Sequence, residues 1–442
     1  MLDNFGNKIL KKPVIYLVYF LIFFISFLIA YIFLLHQQNG MLLIADNKGD
    51  AGKYIWISQN LLRGMSDGVR TYAYPLFLKL IRYPYSSNNN ELQLFSFYIL
   101  LVQYCIYAAS VLFFSFAITK SQKIRFLICS ALLLQINILS FLSVTLSDIL
   151  SLCFLLIGLG IFFALKKGSL RSFLLGLCTA FSIEIRPANL WVYGLIFVML
   201  MLEFIRYKDD YGYILRQLLF FILGSLISFA PQIFYNWFFF RSFTPLPAGD
   251  LAQEQYNLSK EYLFVAFSII PNDTSSLVRN PFFISSAYEF VWFSINGLSY
   301  ALLKIMMMFH HTDLFVYQSI SEFHQKIMIF FSSTMTYFGL LGVMFQYKNI
   351  AIEKRQAIIL GMLFCILLHL NTRLEDRYTF AICLLLSPFA FYQVICFLKA
   401  KKYSYLLGFI PFFLLANLFN SVIVSLNPNY IPPDATIYRS TR

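Results

Sequence analysis

The sequence predicts an all-α, polytopic membrane protein, and three observations support this fold class. Hydrophobic residues make up 59% of the 442 residues and charged residues only 12%, about half of the roughly 25% that is typical of soluble domains. The mean hydropathy is +0.70, and the chain contains 51 Phe and 29 Tyr. The apolar residues also fall in runs long enough to cross a bilayer as helices. This composition excludes a soluble enzyme, a secreted disulfide scaffold and a disordered tail.

About eleven segments match the roughly 20 apolar residues that a helix needs to cross the hydrocarbon core of a bilayer. We predict membrane spans at 14–36, 93–118, 126–143, 147–165, 172–184, 188–205, 216–236, 326–345, 357–370, 379–397 and 406–426. Two of them, 172–184 and 357–370, are short, which is typical of helices that end below the bilayer surface beside a cavity. The cysteines all lie within apolar runs and lack metal-ligand spacing, so we interpret them as small apolar residues of the helices.

The net charge of +13 has a regular distribution along the chain. If the N-terminus lies in the cytoplasm, every cytoplasmic segment contains a basic triplet; the triplets after the second and fourth spans are Lys120, Lys123, Arg125 and Lys166, Lys167, Arg171. This pattern predicts a cytoplasmic N-terminus and an external C-terminus. The positive charge is therefore interpreted as an orientation signal, and no nucleic-acid partner is expected.

We predict a single integral membrane domain over 1–442, with most of its extramembrane chain on the outer side. The outer segments are 37–90, 237–325 and the tail 427–442. In the first of them, the apolar residues from Lys53 to Leu62 recur with helical spacing, which predicts an amphipathic helix along the membrane surface. In the second, 282–309 is apolar but contains charged residues, so we interpret it as interfacial helices, with a re-entrant hairpin as the alternative.

Two aspartates on the predicted outer side are candidates for chemistry. Asp50 stands just ahead of the amphipathic helix, where aspartates are common caps, and for this residue a helix cap and a general base are equally favoured roles. Asp148 follows Ser147 at the start of the span 147–165. Three roles fit Asp148: a helix cap, which is slightly favoured by its position, a partner for Asp50, and a metal ligand.

Several short motifs occur in order along the outer side. They are Asp50 with Tyr54 and Gly64, Arg70 ahead of Tyr74-Pro75, Leu146-Ser147-Asp148, Ile185-Arg186-Pro187, Pro231-Gln232 followed by Arg241, and Asp376-Arg377-Tyr378. In this order the motifs resemble those of the GT-C superfamily of membrane glycosyltransferases. That group includes aminoarabinose transferases acting on lipid A, protein O-mannosyltransferases and GPI mannosyltransferases. The resemblance extends over about residues 14 to 400.

The resemblance implies a GT-C fold and an inverting transfer of a sugar from a polyprenyl-phosphate donor to a lipid, glycan or protein acceptor on the outer face of a membrane, expected to be a bacterial inner membrane. Asp50 and Asp148 would be the catalytic carboxylates, with Asp50 as the general base. The expected donor-phosphate ligands are Arg70, Arg186, Arg241 and Arg377, and the expected substrate contacts are Tyr54, Tyr74 and Tyr378. The resemblance implies no fixed cofactor and leaves a divalent metal open.

The motifs also depart from the family pattern in one place. The aminoarabinose transferases have Lys-Pro-Pro in the first outer loop, where this chain has Ala73-Tyr74-Pro75. Arg70 is the basic residue that we expect to replace the missing lysine.

Two other functions remain as alternatives. A transporter or flippase of lipid-linked glycans usually has internal repeats and ionisable groups near the middle of the membrane. We see no repeat here and expect almost no buried charge in the spans, which disfavours a transporter. A glycan polymerase or ligase would share the donor and the compartment, but it would lack the element from Asp50 to Tyr54.

Overall fold

The computed structural model describes residues 12–37, 50–61, 70–81, 89–206, 211–249, 262–263, 278–279, 322–346, 351–370 and 380–426. The helices before the second outer segment are α1 (Lys12–Gln37), α2 (Asp50–Gln59), α3 (Ala73–Leu80), α4 (Asn89–Ile118), α5 (Gln122–Leu133), α6 (Ile136–Leu139), α7 (Asp148–Ala164), α8 (Ser169–Ile185), α9 (Leu190–Arg206) and α10 (Tyr211–Phe240). A 3₁₀ turn, Pro187–Asn189, joins α8 to α9.

The later described elements are two antiparallel β-strands of two residues each and five helices. The pair joins β1 (Tyr262–Leu263) to β2 (Val278–Arg279), with Tyr262 opposite Arg279. The helices are α11 (Glu322–Gln346), α12 (Ile352–Leu370), α13 (Phe380–Lys399), α14 (Tyr403–Leu407) and α15 (Phe409–Leu426). The predicted interfacial segment 282–309 and the tail 427–442 lie outside the described residues.

The helical membrane character predicted from composition is confirmed. In the described part of the chain, five helical segments are long and apolar enough to cross a membrane: Tyr16–Leu35, Phe97–Ile118, Tyr211–Phe240, Ile329–Gln346 and Ala381–Lys399. Shorter apolar helices are present at Asp148–Ala164, Leu190–Ile205 and Tyr403–Leu415. Each of the predicted spans coincides with helix, although two of them are interrupted.

The third predicted span, 126–143, is the clearest departure from the sequence expectation. Helix α5 ends at Leu133, and only the short helix α6 follows before the chain turns into α7. The carbonyl groups of this irregular stretch are satisfied from a neighbouring helix, because the Gln103 amide donates to the carbonyl oxygens of Leu142 at 3.0 Å and Val144 at 2.9 Å. Buried hydrogen bonds of this kind make non-helical backbone tolerable inside a membrane protein. The last predicted span, 406–426, is likewise divided at Gly408.

Among the described helices, α8 and α10 have the most extensive contact with each other, and two glycines permit their close approach. A Cβ atom on Gly176 would meet the backbone carbonyl of Phe221, and one on Gly224 would meet that of Phe173. The Ser228 hydroxyl donates across the same interface to the carbonyl oxygen of Leu177 at 2.8 Å. Small residues with interhelical hydrogen bonds are the usual means of packing helices closely in membranes.

The polar contacts between distant segments fall into two groups, one at each end of the helix bundle. At one end, Glu203 pairs with Lys167 at 2.6 Å and with the buried Arg171. The Lys354 ammonium donates to the carbonyl oxygen of Ile118, where α4 ends. These side chains lie in, or within a few residues of, segments that the charge pattern assigns to the cytoplasmic side. The candidate site residues described below lie at the opposite ends of the same helices.

We expect Gly176→Ala and Gly224→Ala each to lower the free energy of unfolding by about 1–3 kcal/mol, because the added methyl group meets rigid backbone. The measurement is thermal unfolding of the purified protein in detergent. Gly158→Ala is the matched control, because a Cβ there would lie at an ordinary 3.6 Å from the Thr179 methyl group. Equal melting temperatures for all three variants would contradict the close-packing account.

Candidate functional site

Residues of the first outer segment pack together against the start of α7. Helices α2 and α3 lie against each other, with the Tyr54 and Tyr74 rings 4.9 Å apart in an edge-to-face arrangement. The Arg70 guanidinium carbon lies 5.5 Å from the centre of the Tyr54 ring. The Tyr54 and Ser147 hydroxyl groups are 3.2 Å apart in a hydrogen bond. The structure therefore brings three of the predicted site residues, Tyr54, Arg70 and Tyr74, into one cluster.

A buried ion pair lies beside this cluster. Asp148 is the first residue of α7, and its carboxylate pairs with the guanidinium of Arg186, which directly follows α8. The side chains are only 2% and 11% exposed, so the two charges are largely removed from solvent. Because Ser147 contacts Tyr54, the pair is joined to the tyrosine cluster through adjacent residues of the chain. The geometry adds a fourth role for Asp148 to the three weighed from the sequence: its carboxylate holds the Arg186 guanidinium in place.

Local sequence explains the positions of both members of the pair. A carboxylate at the first position of a helix is favoured by the unpaired N–H groups and by the helix dipole. Arg186 has an extended backbone (φ −151°, ψ 111°) because Pro187 follows it, and this change ends α8. The N-cap residue Ser147 makes no side-chain cap hydrogen bond, and its hydroxyl contacts Tyr54 instead.

Tyr72 anchors the first outer segment to α10. Its backbone N–H donates to the Gln232 side-chain oxygen at 3.1 Å, and its hydroxyl donates to the carbonyl oxygen of Ser228 at 2.8 Å. Burial raises the pKa of the Tyr72 phenol, and the nearby Glu184 carboxyl group raises it further. Tyr72 therefore acts here as a buried hydrogen-bond donor.

The hydrogen bonds of Gln232 continue into the second outer segment. Its amide donates to the Asn236 side-chain oxygen at 3.0 Å, and the Asn236 amide donates to the carbonyl oxygens of Thr244 and Leu246, each at 2.7 Å. Asn236 is fully buried. The Pro231–Asn236 motif thus links both outer segments to α10.

Of the four remaining predicted site residues, only the side chain of Arg241 is described. Arg241 is exposed just after α10, with a left-handed backbone (φ 53°). Asp50 begins α2, one turn before Tyr54, but its side chain lies outside the described residues, as do Arg377 and Tyr378. Among the described residues, no group of three or more His, Cys, Asp or Glu is placed to hold a metal ion.

The sequence analysis did not identify Glu184 as a site residue. Glu184 is fully buried near the end of α8, and neither of its carboxyl oxygens has a hydrogen-bond partner among the described residues. Together with Asp148 and Glu203, it corrects the expectation that the spans contain almost no buried charge. The signal was available, because Glu184 is the only acidic residue of the apolar stretch that leads to Arg186-Pro187.

The arrangement combines the groups that a polar, phosphate-bearing substrate requires. Arginine stays charged at physiological pH and suits phosphate oxygens, and tyrosine rings pack on apolar faces while their hydroxyl groups remain available for hydrogen bonds. No protein-family model, curated protein or solved structure matches this chain. The function must therefore be argued from the site itself.

We expect Asp148→Asn and Arg186→Met each to lower the free energy of unfolding by about 3 kcal/mol, because each leaves the other charge buried without its main partner. The double variant should lose less than the sum of the two single losses. Thermal unfolding of the four proteins in detergent measures this coupling. Lys167→Met is the control, since this partly exposed partner of Glu203 is expected to contribute less than about 1 kcal/mol.

Strictly additive losses from the two single variants would contradict the importance of the Asp148–Arg186 pair.

Proposed function

We propose that this chain is an integral membrane glycosyltransferase of the GT-C type, which transfers a sugar from a polyprenyl-phosphate donor to an acceptor on the outer face of the membrane. One observation carries the proposal: the hydrogen bond between Tyr54 and Ser147. Tyr54 lies one turn after Asp50, and Ser147 adjoins Asp148. The contact thus brings the helix that begins with one predicted acidic position against the helix that begins with the other.

The proposed reaction is a single displacement at the anomeric carbon of the sugar. Asp50 takes the proton from the acceptor hydroxyl, the acceptor oxygen bonds to the anomeric carbon, and the bond from that carbon to the lipid phosphate breaks with its electron pair going to the phosphate. The anomeric configuration inverts. The negative charge of the departing phosphate is where positively charged groups contribute most to the rate.

Arginine side chains supply that positive charge in the proposal. Arg70 and Arg186 are the best supported, since both lie in or beside the Tyr54 cluster. Arg241 and Arg377 are proposed as further phosphate ligands, and Tyr378 as a further substrate contact with Tyr54 and Tyr74. The buried pairing with Asp148 keeps the Arg186 guanidinium in place before the substrate arrives, which avoids a reorganisation cost during the reaction.

The proposed topology has about eleven spans, with the N-terminus in the cytoplasm of a bacterial cell and the C-terminus outside. It is supported by the separation of contacts into two ends. Residues in or next to the basic loops meet one another at one end, as in the Lys167–Glu203 pair. Residues from the outer segments meet at the other, as in the Tyr72–Gln232 hydrogen bond.

A transporter or flippase of lipid-linked glycans is the second candidate function, and Glu184 is the observation that favours it. An ionisable residue buried within a bundle of apolar helices is typical of proteins that move ions or polar substrates across membranes. The two functions differ in whether a covalent bond of the donor is broken, so an assay of donor turnover separates them.

We expect Asp50→Asn to lower the rate of sugar release from a radiolabelled undecaprenyl-phosphate sugar by about 10²–10⁴-fold, because the amide cannot accept the acceptor proton. The assay uses the purified protein with a panel of glucose, mannose, galactose and aminoarabinose donors. Asp46→Asn, the same change earlier in the loop, is the control and should retain wild-type turnover.

Full turnover by Asp50→Asn would remove it as the base, and an absence of donor turnover by the wild-type protein would favour the transporter.

The topology makes a separate prediction about labelling from outside the cell. A single cysteine at Asn257 should react with a membrane-impermeant maleimide in intact cells, and one at Lys348 should react only after the cells are opened. The control is maleimide labelling of the native protein, which measures the background reaction of its own cysteines, among them the exposed Cys105. Labelling of the Lys348 position in intact cells would make 282–309 a true span and would reverse the orientation of the last four predicted helices.

A further inference from the structure

Glu184 is enclosed near the end of α8, where no described residue provides a hydrogen-bond partner for its carboxyl group. Glu184 is fully buried, and both of its carboxyl oxygens lack hydrogen-bond partners among the described residues. The other buried acidic residues of the described chain differ in this respect, because Asp148 pairs with Arg186 and Glu203 pairs with Arg171 and Lys167. Glu184 is therefore the exception that requires an explanation.

The neighbours of Glu184 have hydrogen bonds directed elsewhere. The Tyr72 hydroxyl donates to the carbonyl oxygen of Ser228. The Asn189 amide donates to the Ser182 hydroxyl at 2.7 Å, and the Arg186 guanidinium pairs with Asp148. The polar groups near the end of α8 thus form their own contacts and leave the Glu184 carboxyl group out of them.

This arrangement does not stabilise the folded chain. A buried polar group without a hydrogen bond costs free energy, and an unpaired buried carboxylate costs far more than a neutral carboxyl group. A methionine of similar size at this position would be neutral or stabilising. The physical reason for a glutamate must therefore lie in a state of the protein in which the carboxyl group has a partner.

The surroundings of Glu184 indicate where that partner enters. Phe181 lies three residues before Glu184 and so occupies the same face of α8, and its ring lies 6.4 Å from that of Tyr72. Tyr72 covers this face from the first outer segment, between the proposed site residues Arg70 and Tyr74. Two hydrogen bonds to α10 hold it there. The Tyr72 phenol is close enough to Glu184 for the two groups to interact electrostatically, so Tyr72 is the side chain that must move for a ligand beside Tyr54, Arg70 and Tyr74 to reach the carboxyl group.

We propose that Glu184 is a sugar-binding residue, whose two carboxyl oxygens accept hydrogen bonds from neighbouring hydroxyl groups of the sugar once Tyr72 moves aside. This inference rests on the proposed function and adds a substrate contact to it. When Tyr72 has moved aside and water reaches the site, the carboxyl group releases its proton to the solvent. The resulting carboxylate offers only acceptors, so its ligand must supply donors, and adjacent ring hydroxyl groups match the spacing of its two oxygens. Sites built to hydrogen-bond a hydroxyl group discriminate strongly against ligands that lack it.

The test compares binding of two lipids to the purified protein in nanodiscs: undecaprenyl phosphate, and the undecaprenyl-phosphate sugar that the wild-type protein binds most tightly among the glucose, mannose, galactose and aminoarabinose forms. For Glu184→Met we expect the affinity for the sugar-bearing lipid to fall at least about tenfold, because two hydrogen bonds are lost. The affinity for undecaprenyl phosphate should stay unchanged.

The melting temperature of the ligand-free protein is the second measurement, and it separates a binding role from a structural one. Glu184→Met should raise it by about 1–3 °C, because an unpartnered polar group is removed from the interior. Glu203→Met is the matched control: it should lower the melting temperature by leaving Arg171 buried without its partner, and it should leave the preference for the sugar-bearing lipid intact. Glu184→Gln retains one acceptor oxygen and should lose an intermediate part of the affinity.

Two results would overturn the inference in distinguishable ways. If Glu184→Met and Glu184→Gln keep the wild-type preference for the sugar-bearing lipid, Glu184 does not bind the sugar, and the proposed transferase function stands. If the wild-type protein binds every sugar-bearing lipid no better than undecaprenyl phosphate, the sugar-binding role and the proposed donor class fail together.

Discussion

The buried pairing of Asp148 with Arg186 is the interaction on which the end of the bundle that contains the candidate site depends. It joins the first residue of α7 to the residue that ends α8, and the first outer segment packs beside it through the Tyr54–Ser147 hydrogen bond. Two charges this far from solvent are stable only together, since either one alone would be uncompensated. The pair therefore fixes the relative positions of two helix ends and provides a firm base for the outer segment.

The interior of the bundle shows how apolar helices accommodate polar groups. Gln103 satisfies the carbonyl groups of an interrupted span, Gln232 and Asn236 bind both outer segments to α10, and Glu203 compensates the buried Arg171. Each of these groups has a local structural task, because an unsatisfied polar group inside the bundle is costly. Glu184 makes no such contact with the part of the chain that the structure describes, and this contrast, rather than its burial alone, is what points to a role in binding.

Helices were predictable where the sequence signal is local, and the site was predictable only in part. Apolar runs located the helices, and the spacing from Lys53 onward located α2. Tyr54, Arg70 and Tyr74 were expected in one site and do cluster. The break after Leu133 was missed because hydropathy averages over the buried polar residues that allow it. Glu184 was missed because a single acid at the end of an apolar helix looks like an ordinary helix terminus until its surroundings are known.

The sequence by itself determined the helical membrane class of the protein and the positions of most helices, because composition and helical periodicity act over a few neighbouring residues. Only the tertiary structure decided which residues meet. Tyr54 and Ser147 are 93 residues apart, and Tyr72 and Gln232 are 160 apart. Such contacts depend on which helices are neighbours, and the close approach at Gly176 and Gly224 is one feature that decides this. The pairing of Asp148 with Arg186, and the lack of a partner for Glu184 among the described residues, follow from that packing, because local sequence shows where an acidic residue lies but not which groups surround it.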